Sequence, residues 1–185
     1  MLEKEIQLRG EKVLLRLVTM EDITGTYCAW LNDPEVNRYL ETRFVVQTLA
    51  SVRSYVATTI AAPDTIFLAI IEKATNRHIG NIKLGPVLLH HRRGELSFFI
   101  GEKGCWGKGY ATEAVGLLTE YALDELSLVK VTAGCYSTNF GSKRVFEKLG
   151  YEIEAVLKKQ YFSEDTWVSS YSFAKFPESL PSVGK

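Results

Sequence analysis

A glycine-rich segment in the middle of the chain constrains the fold more than any other part of the sequence. Residues 98–114 read FFIGEKGCWGKGYATEA, in which an apolar run leads through Gly104, Gly107 and Gly109 into a helical pattern. Glycine lets backbone N–H groups approach an anion closely, and a helix N-terminus carries partial positive charge. Two lysines in the loop add full charges. The segment therefore predicts a strand–loop–helix unit that holds phosphate.

The spacing of these glycines does not fit the two common nucleotide loops. The dinucleotide fingerprint requires GxGxxG, but Thr112 stands where the third glycine belongs. The ATP-binding loop requires Gly-Lys followed by Ser or Thr, but Gly109 follows Lys108. Two readings stay open on these residues alone: a cradle for another phosphate compound, and a glycine-rich turn without a ligand.

Hydrophobic periodicity on both sides of the loop indicates a mixed α/β domain with about seven strands and about four helices. The predicted strands are 12–18, 66–71, 78–87, 95–100, 128–135, 151–157 and 167–176, and the predicted helices lie at 19–32, 48–60, 109–126 and 139–149. The strand–helix–strand order of the second half implies a parallel pair, whereas the consecutive strands before it imply antiparallel pairing. We expect one domain over residues 1–176, with a mixed sheet and helices on both faces, and a disordered tail at 177–185.

Composition argues against several classes of function. The chain has 22 basic and 22 acidic residues, so its formal net charge of 0 disfavours a broadly basic nucleic-acid-binding protein. No stretch approaches the roughly 18 apolar residues of a membrane span, and charges precede any apolar run at the start, so we expect neither a membrane anchor nor a signal peptide. The cysteines Cys28, Cys105 and Cys135 are far apart, which predicts no metal site and fits a reducing cytoplasm.

The glycine loop resembles the coenzyme A loop of the GCN5-related N-acetyltransferase (GNAT) superfamily. The similar sequence is WGKGYATEA at 106–114. The pattern of the family is a Gln or Arg, two residues, Gly, one residue, then Gly or Ala. Gly107 and Gly109 match its last two positions, whereas Gly104 stands in place of the Gln or Arg. The resemblance implies a backbone cradle for a pyrophosphate without that side-chain contact.

A second motif resembles one branch of the same superfamily. NFGS at 139–142 and RVFEKLGY at 144–151 are similar to the signature of ribosomal-protein N-terminal acetyltransferases (RimJ/RimL type). AWLNDPEVNRYL at 29–40 is similar to the segment after the first helix of that branch. The resemblance implies a GNAT fold with a centrally splayed mixed sheet, and acetyl-CoA-dependent acetylation of a primary amine in the cytoplasm. Dimers are common in the superfamily, so it also allows a homodimer.

The resemblance assigns coenzyme contacts to this sequence. It places the pantetheine arm between the strands that end near Ile100 and Cys135, where a backbone N–H near Ile100 would polarise the thioester carbonyl. Lys143, Arg144 and Lys148 lie on one helix, and any of them could meet the adenosine 3′-phosphate. The residues expected to bind the coenzyme are Ile100, Trp106, Gly107, Lys108, Gly109, Tyr110, Ala111, Asn139, Ser142, Lys143 and Phe146.

Three residues are expected to serve catalysis. Asn139 would hydrogen-bond the coenzyme arm and cap its own helix. Ser142 or a water would protonate the leaving thiolate, because Phe146 occupies the position where many relatives have a tyrosine acid and cannot donate a proton. Glu95 would accept the amine proton, directly or through water. The plain structural readings are a helix cap, a solvated helix serine and a surface carboxylate.

The acceptor is the least determined partner. At pH 7, an α-amine with a pKa of about 7.8 is in its neutral form about one time in seven, whereas a lysine amine is neutral about once in 2,500. An α-amine acceptor could therefore react with water alone as the base. Residues in segments that often line the acceptor groove in this branch are Tyr39, Glu41, Arg43, Tyr161 and Trp167. We expect a small-molecule amine, such as an amino-sugar nucleotide or a polyamine, or a peptide α-amine. A ribosomal-protein N-terminus and a non-catalytic acyl-CoA-binding domain are the alternatives, and zero net charge argues weakly against docking on the ribosome.

Overall fold

The computed structural model describes residues 6–179, which contain one mixed sheet of eight strands. The strands are β1 (Gln7–Arg9), β2 (Val13–Leu17), β3 (Ile66–Glu72), β4 (Arg77–Leu88), β5 (Arg93–Ile100), β6 (Lys130–Tyr136), β7 (Glu152–Ser163) and β8 (Thr166–Lys175). Their order across the sheet is β1-β2-β3-β4-β5-β6-β8-β7. Among these described strands, β5 and β6 are the parallel pair and the other neighbours are antiparallel. The expected mixed α/β fold is confirmed.

Five α-helices cover the two faces of the sheet within residues 6–179. They are α1 (Gly25–Asn32), α2 (Pro34–Asn37), α3 (Leu49–Ala61), α4 (Tyr110–Glu120) and α5 (Phe140–Lys148), and a π-helical turn, Tyr121–Glu125, continues α4. One hydrophobic core lies between the sheet and α4 with α5, and a second core lies between the sheet and α1 with α3. Side chains alternate between the two cores along each central strand, so that Leu96 enters the first core and Phe99 borders the second. No helix of the described residues combines the length and apolar character needed to cross a membrane.

The structure has one strand and one helix more than the sequence predicts. β1 is three residues long, too short for an alternating pattern to be read. α2 is a single turn, begun by the Asp33 side chain, which accepts the N–H of Glu35 at 2.9 Å, and by Pro34 in its first turn. Both elements depend on local capping or strand pairing rather than on hydrophobic periodicity.

The first predicted helix begins later than expected. The capping box at Thr19 is present, but it opens a 3-10 turn, Met20–Asp22, and α1 begins behind a second cap at Thr24. The carboxylate of Asp22 accepts two hydrogen bonds from Arg16, each 2.7 Å long, in addition to its capping bond. This ion pair ties the turn to β2. Of the predicted tail at 177–185, residues 180–185 lie outside the described residues.

The parallel contact between β5 and β6 is short, and this positions the site. The register runs from Arg93 opposite Lys130 to Leu96 opposite Ala133, and no described residue of β6 pairs with β5 beyond it. β4 continues to pair with β5 as far as Ile100, and β8 continues to pair with β6. The two strands therefore diverge while each is held on its outer side. The result is a wedge in the centre of the sheet, as the splayed-sheet prediction requires, and α4 and α5 both begin beyond its open end.

Candidate functional site

Backbone groups of β5 point into the wedge. Gly101 N–H donates to Ile79 O at 2.8 Å, and Gly80 pairs with Ile100. In an antiparallel ladder this makes Ile100 and Gly80 a non-hydrogen-bonded pair, so the N–H and C=O of Ile100 point away from β4. The C=O accepts the indole N–H of Trp106 at 2.9 Å. The N–H of Ile100 is thus directed to the gap where a thioester carbonyl is expected.

Two glycines shape the loop between β5 and α4. Gly107 has φ +73° and Gly109 has φ +89°, in the left-handed region that favours glycine. A Cβ on Gly107 would meet no atom within 4 Å, so the backbone conformation, and not crowding, demands glycine there. Gly109 is the N-cap residue of α4 and has no side chain to accept the first N–H groups of the helix. These donors face the loop, as an anion cradle requires.

The positive charge at the loop differs from the sequence prediction. Lys103 is not free to act there, because its ammonium pairs with Asp33 at 2.8 Å and Glu35 at 3.2 Å at the start of α2. These carboxylates raise the pKa of Lys103. Lys12, from the turn between β1 and β2, takes a place beside the loop instead and donates to Lys108 O at 3.0 Å. The sequence offers no signal for Lys12, which lies 96 positions from its partner.

A carboxylate beneath the loop fixes the first turn of α4. Glu72, buried at the end of β3, accepts hydrogen bonds from Thr75 and Tyr110, each 2.5 Å long, and from Arg77 at 3.3 Å. These donors, Thr75 and Tyr110 foremost, lower the pKa of Glu72 to about 2. The bond to Glu72 raises the pKa of Tyr110. The side chain of Tyr110 is therefore an anchor of the loop, while its backbone N–H belongs to the first turn of α4.

A groove of about 390 Å³ runs along α4 from Gly109 to Glu120, beside the end of α5, and the carboxylates of Glu113 and Glu120 are among its walls. Its walls include Lys12, Gly109 and Lys148. Of the three lysine or arginine residues predicted to meet a 3′-phosphate, Lys148 lines this groove. Lys143 instead lies 3.5 Å from Glu147 and over the ring of Tyr171, and Arg144 is exposed on α5. Lys148 is thus the one of the three that borders this groove, and its contact with a 3′-phosphate stays a prediction.

The first turn of α5 forms the opposite wall of the wedge. The side chain of Asn139 accepts the N–H of Ser142 at 3.1 Å, which confirms the predicted helix cap. Ser142 is half-buried. Phe146 is 1% exposed and packs against Phe98 and Phe173, with ring centroids 5.8 and 5.1 Å away. The structure assigns the Phe146 ring to the core, and its contact with a coenzyme stays a prediction.

Glu95 lies on the other face of the sheet. It pairs with Thr132, one position before the last contact between β5 and β6 at Leu96 and Ala133. Because Leu96 enters the core under α4 and α5, its neighbour Glu95 points to the face of α1 and α3, where it is exposed. Glu95 is therefore at the closed end of the wedge on the face of α1 and α3, whereas Ser142 is on the first turn of α5, beyond the open end and on the other face.

Aromatic and charged side chains surround Tyr136, the last residue of β6, on the face of the sheet that α1 and α3 cover. Tyr136 donates its hydroxyl hydrogen to Glu41 at 2.7 Å, accepts from Arg43 at 2.9 Å and stacks on Tyr161 with centroids 4.2 Å apart. Burial first, and then the bond to Glu41, raise the pKa of Tyr136 to about 12, so its phenol stays protonated at neutral pH. Tyr39 also packs against Tyr136. Four of the five residues placed in acceptor segments by the sequence thus meet at one point.

A cavity of about 490 Å³ adjoins the side chains around Tyr136. Arg43 and Phe44 line one side, and Glu164 in the turn between β7 and β8 lines the other, where it pairs with Arg38. Trp167, the fifth acceptor-segment residue, is exposed and packs edge-on against a neighbouring ring of β7. Within residues 6–179, no three His, Cys, Asp or Glu side chains come together as a metal site would require.

Comparison with known proteins gives one consistent result. Residues 12–152 match the family described as Acetyltransferase (GNAT) domain. The uncharacterized N-acetyltransferase YoaA of Bacillus subtilis (strain 168) is 27% identical over 161 residues, which are 86% of this chain and 90% of YoaA. The alpha/beta-tubulin-N-acetyltransferase 9 of Homo sapiens is 30% identical over 162 residues, 82% of this chain and 77% of that protein. The spermidine N-acetyltransferase of Vibrio cholerae, solved with CoA and spermine, has a TM-score of 0.80 at 17% identity and covers 90% of this chain and 96% of its own.

Proposed function

This chain belongs to the GNAT acetyltransferase family and is an acetyl-CoA-dependent acyltransferase, and on that premise we propose that it transfers the acetyl group directly to a primary amine while both substrates are bound. The observation that supports this proposal best is the wedge between β5 and β6, with a glycine cradle at its open end. A linear thioester could lie along such a wedge with its phosphates outside the sheet. The amine would then approach from the face of α1 and α3, which Glu95 and Tyr136 border.

The residues around the wedge fit coenzyme A. Backbone N–H groups of residues 106–111 would hold the pyrophosphate, and the N–H of Ile100 would polarise the thioester carbonyl. Asn139, at the cap of α5, would bond the pantetheine arm, and Lys148 would meet the 3′-phosphate in the groove. Bound acetyl-CoA supplies the activated acetyl thioester.

The reaction needs two proton transfers, and we assign one to Glu95 and the other to Ser142, on opposite faces of the sheet. Glu95, exposed on the face of α1 and α3, would accept the proton of the amine directly or through water. Ser142, on the first turn of α5, would donate a proton to the leaving sulfur. Phe146 has no proton to donate and is buried in the core, so we assign the donation to the hydroxyl of Ser142 or to a water.

We propose a small-molecule amine or a peptide α-amine as the acceptor. The cavity beside Tyr136 has the volume of a small-ligand site. The proteins similar to this chain include one named for tubulin and one named for spermidine, so family membership alone does not choose between protein and small-molecule acceptors. A ribosomal-protein N-terminus is the second candidate, and the RimJ/RimL-like signature at 139–151 is the observation that favours it.

The test is thiol release from acetyl-CoA against a panel of amines: peptides with free α-amines, lysine peptides with blocked N-termini, polyamines, amino sugars and sugar nucleotides. We expect acceptor-dependent release by the wild type, a large loss in Ser142→Ala and Glu95→Gln, and none in Glu152→Gln, an exposed carboxylate on β7 that serves as a matched control. Tight coenzyme binding without release for any amine would favour the non-catalytic alternative. The predicted homodimer and cytoplasmic location stay predictions, for light scattering and cell fractionation to test.

A further inference from the structure

The turn between β1 and β2 brings a lysine to the glycine loop. Lys12 Nζ lies 3.0 Å from Lys108 O and 3.6 Å from the position that a Cβ on Gly109 would occupy. An ammonium group has three donors, and Lys108 O takes one of them. Within residues 6–179, Lys12 forms no ion pair of the kind that holds Lys103 to Asp33 and Glu35. Its charge is therefore available at the loop.

Glu113, in the first turn of α4, holds this turn in place. Its carboxylate accepts the N–H groups of Glu11 at 2.6 Å, Lys12 at 2.9 Å and Val13 at 2.9 Å. A Cβ on Gly10 would lie 2.6 Å from the Glu113 side chain, so the turn approaches the helix as closely as glycine permits. These three hydrogen bonds from consecutive residues to one carboxylate couple the position of Lys12 to the helix that follows the loop.

The groove beside α4 gives Lys12 an open space to face. Lys12 lines it at the Gly109 end, and Lys148 lines it from α5. Two carboxylates also line the groove: Glu113, which accepts the N–H groups of residues 11–13, and Glu120 in the last turn of α4. Lys12 contacts the peptide between Lys108 and Gly109, which belongs to the segment proposed to hold the pyrophosphate. Lys148 comes from α5, the helix proposed to serve the 3′-phosphate. The two positions suit two different phosphate groups of one ligand.

We propose that Lys12 is a binding residue for the coenzyme pyrophosphate and that Glu113 is its positioning residue. This inference rests on the proposed function and deepens it. Gly104 has no side chain to bind a phosphate, and Lys12, 96 positions before Lys108, supplies a cation to the same loop from the turn between β1 and β2. The pyrophosphate would thus be held by backbone N–H groups from one side and by a single ammonium from the other.

Calorimetric titration without turnover tests the proposal. The ligands are CoA and 3′-dephospho-CoA, which share the pyrophosphate, and the variants are Lys12→Met, Lys12→Arg, Glu113→Gln, the double variant Lys12→Met with Glu113→Gln, and Lys103→Met as the charge-matched control. Loss of one charge-assisted hydrogen bond should raise both Kd values about tenfold in Lys12→Met. Lys12→Arg should recover most of the affinity, and Lys103→Met should match the wild type. Glu113→Gln should weaken binding alone but add little to Lys12→Met.

The salt dependence of Kd separates a charge contact from a structural role, because only loss of a phosphate contact lowers the slope of log Kd against log salt. A lower slope in Lys12→Met supports the proposal. An unchanged slope with a lowered urea midpoint would show that Lys12 only stabilises the loop, and would overturn it. Loss of affinity for CoA but not for 3′-dephospho-CoA would place Lys12 at the 3′-phosphate and overturn it also. A wild type that binds neither nucleotide would overturn the proposed function itself.

Discussion

Replacing the loop glycines by alanine should separate backbone strain from every other role of the loop. Gly107 and Gly109 are left-handed, whereas Gly104 in the same loop is not. A left-handed conformation costs an alanine about 1–2 kcal/mol. Contacts add little, because a Cβ on Gly107 meets nothing within 4 Å and one on Gly109 meets only Nζ of Lys12, at an ordinary contact distance of 3.6 Å. A Cβ on Gly104 meets Glu102 at 3.4 Å, an ordinary contact, so Gly104→Ala is the matched control.

The strain must appear in one of two measurements. If the loop of Gly107→Ala or Gly109→Ala keeps its conformation, the free energy of unfolding falls by about 1–2 kcal/mol and the Kd for CoA is unchanged. If the loop relaxes, the protein keeps its stability, and the Kd for CoA rises about 5- to 30-fold because binding must restore the conformation. Urea unfolding and calorimetric titration of the same preparations give both quantities.

The test is the sum of the loss in free energy of unfolding and the loss in free energy of CoA binding. We expect about 1–2 kcal/mol in total for Gly107→Ala and for Gly109→Ala, and a change within about 0.5 kcal/mol for Gly104→Ala. Gly107→Ala and Gly109→Ala proteins that match the wild type in both stability and affinity would refute the argument. So would a large loss of affinity in Gly104→Ala, since its backbone conformation suits alanine.

Three further predictions concern the residues around the wedge. Ser142→Ala should lower kcat about a hundredfold, as loss of a general acid does, while the urea midpoint stays unchanged; an unchanged kcat would remove Ser142 from the chemistry. Glu72 has a pKa of about 2 against an ordinary 4.5, so its stabilising effect is complete above pH 4.5 and is lost as the pH falls towards 2. Glu72→Gln should therefore be less stable than the wild type at neutral pH, and urea midpoints should converge between pH 4.5 and 2; parallel profiles would contradict this. Lys148→Met should weaken binding of CoA but not of 3′-dephospho-CoA in direct titrations, and equal losses would place Lys148 elsewhere.

Features encoded by local chemistry could be read from the sequence. Asn139 predicts the start of α5, and Gly150 predicts its end, where the chain has φ +71°. The glycines of the loop predict a strand–loop–helix unit there, and the structure has this unit, with Gly107 and Gly109 in the left-handed region. Each of these signals involves residues within a few positions of one another, so the sequence carries the whole of the evidence.

Features that depend on contacts between distant parts of the chain could not be predicted from the sequence. Lys12 reaches Lys108 across 96 positions, through a turn that Glu113 in the first turn of α4 holds by hydrogen bonds. The position of Lys103 in the loop is typical of a phosphate ligand. In the fold, its ammonium forms an ion pair with Asp33, which the packing of α2 brings close. A pattern of charges along the chain cannot show which of them the fold neutralises.

Amide hydrogen exchange with and without CoA tests the central claim most directly. The account places the coenzyme in the wedge, so added CoA should protect the amides of residues 106–111 and of the diverging segments 97–100 and 134–136. The loop 38–46, assigned to the acceptor side, should change little until an amine is present. Protection that leaves residues 97–111 untouched and falls on the cavity beside Arg43 would contradict the account.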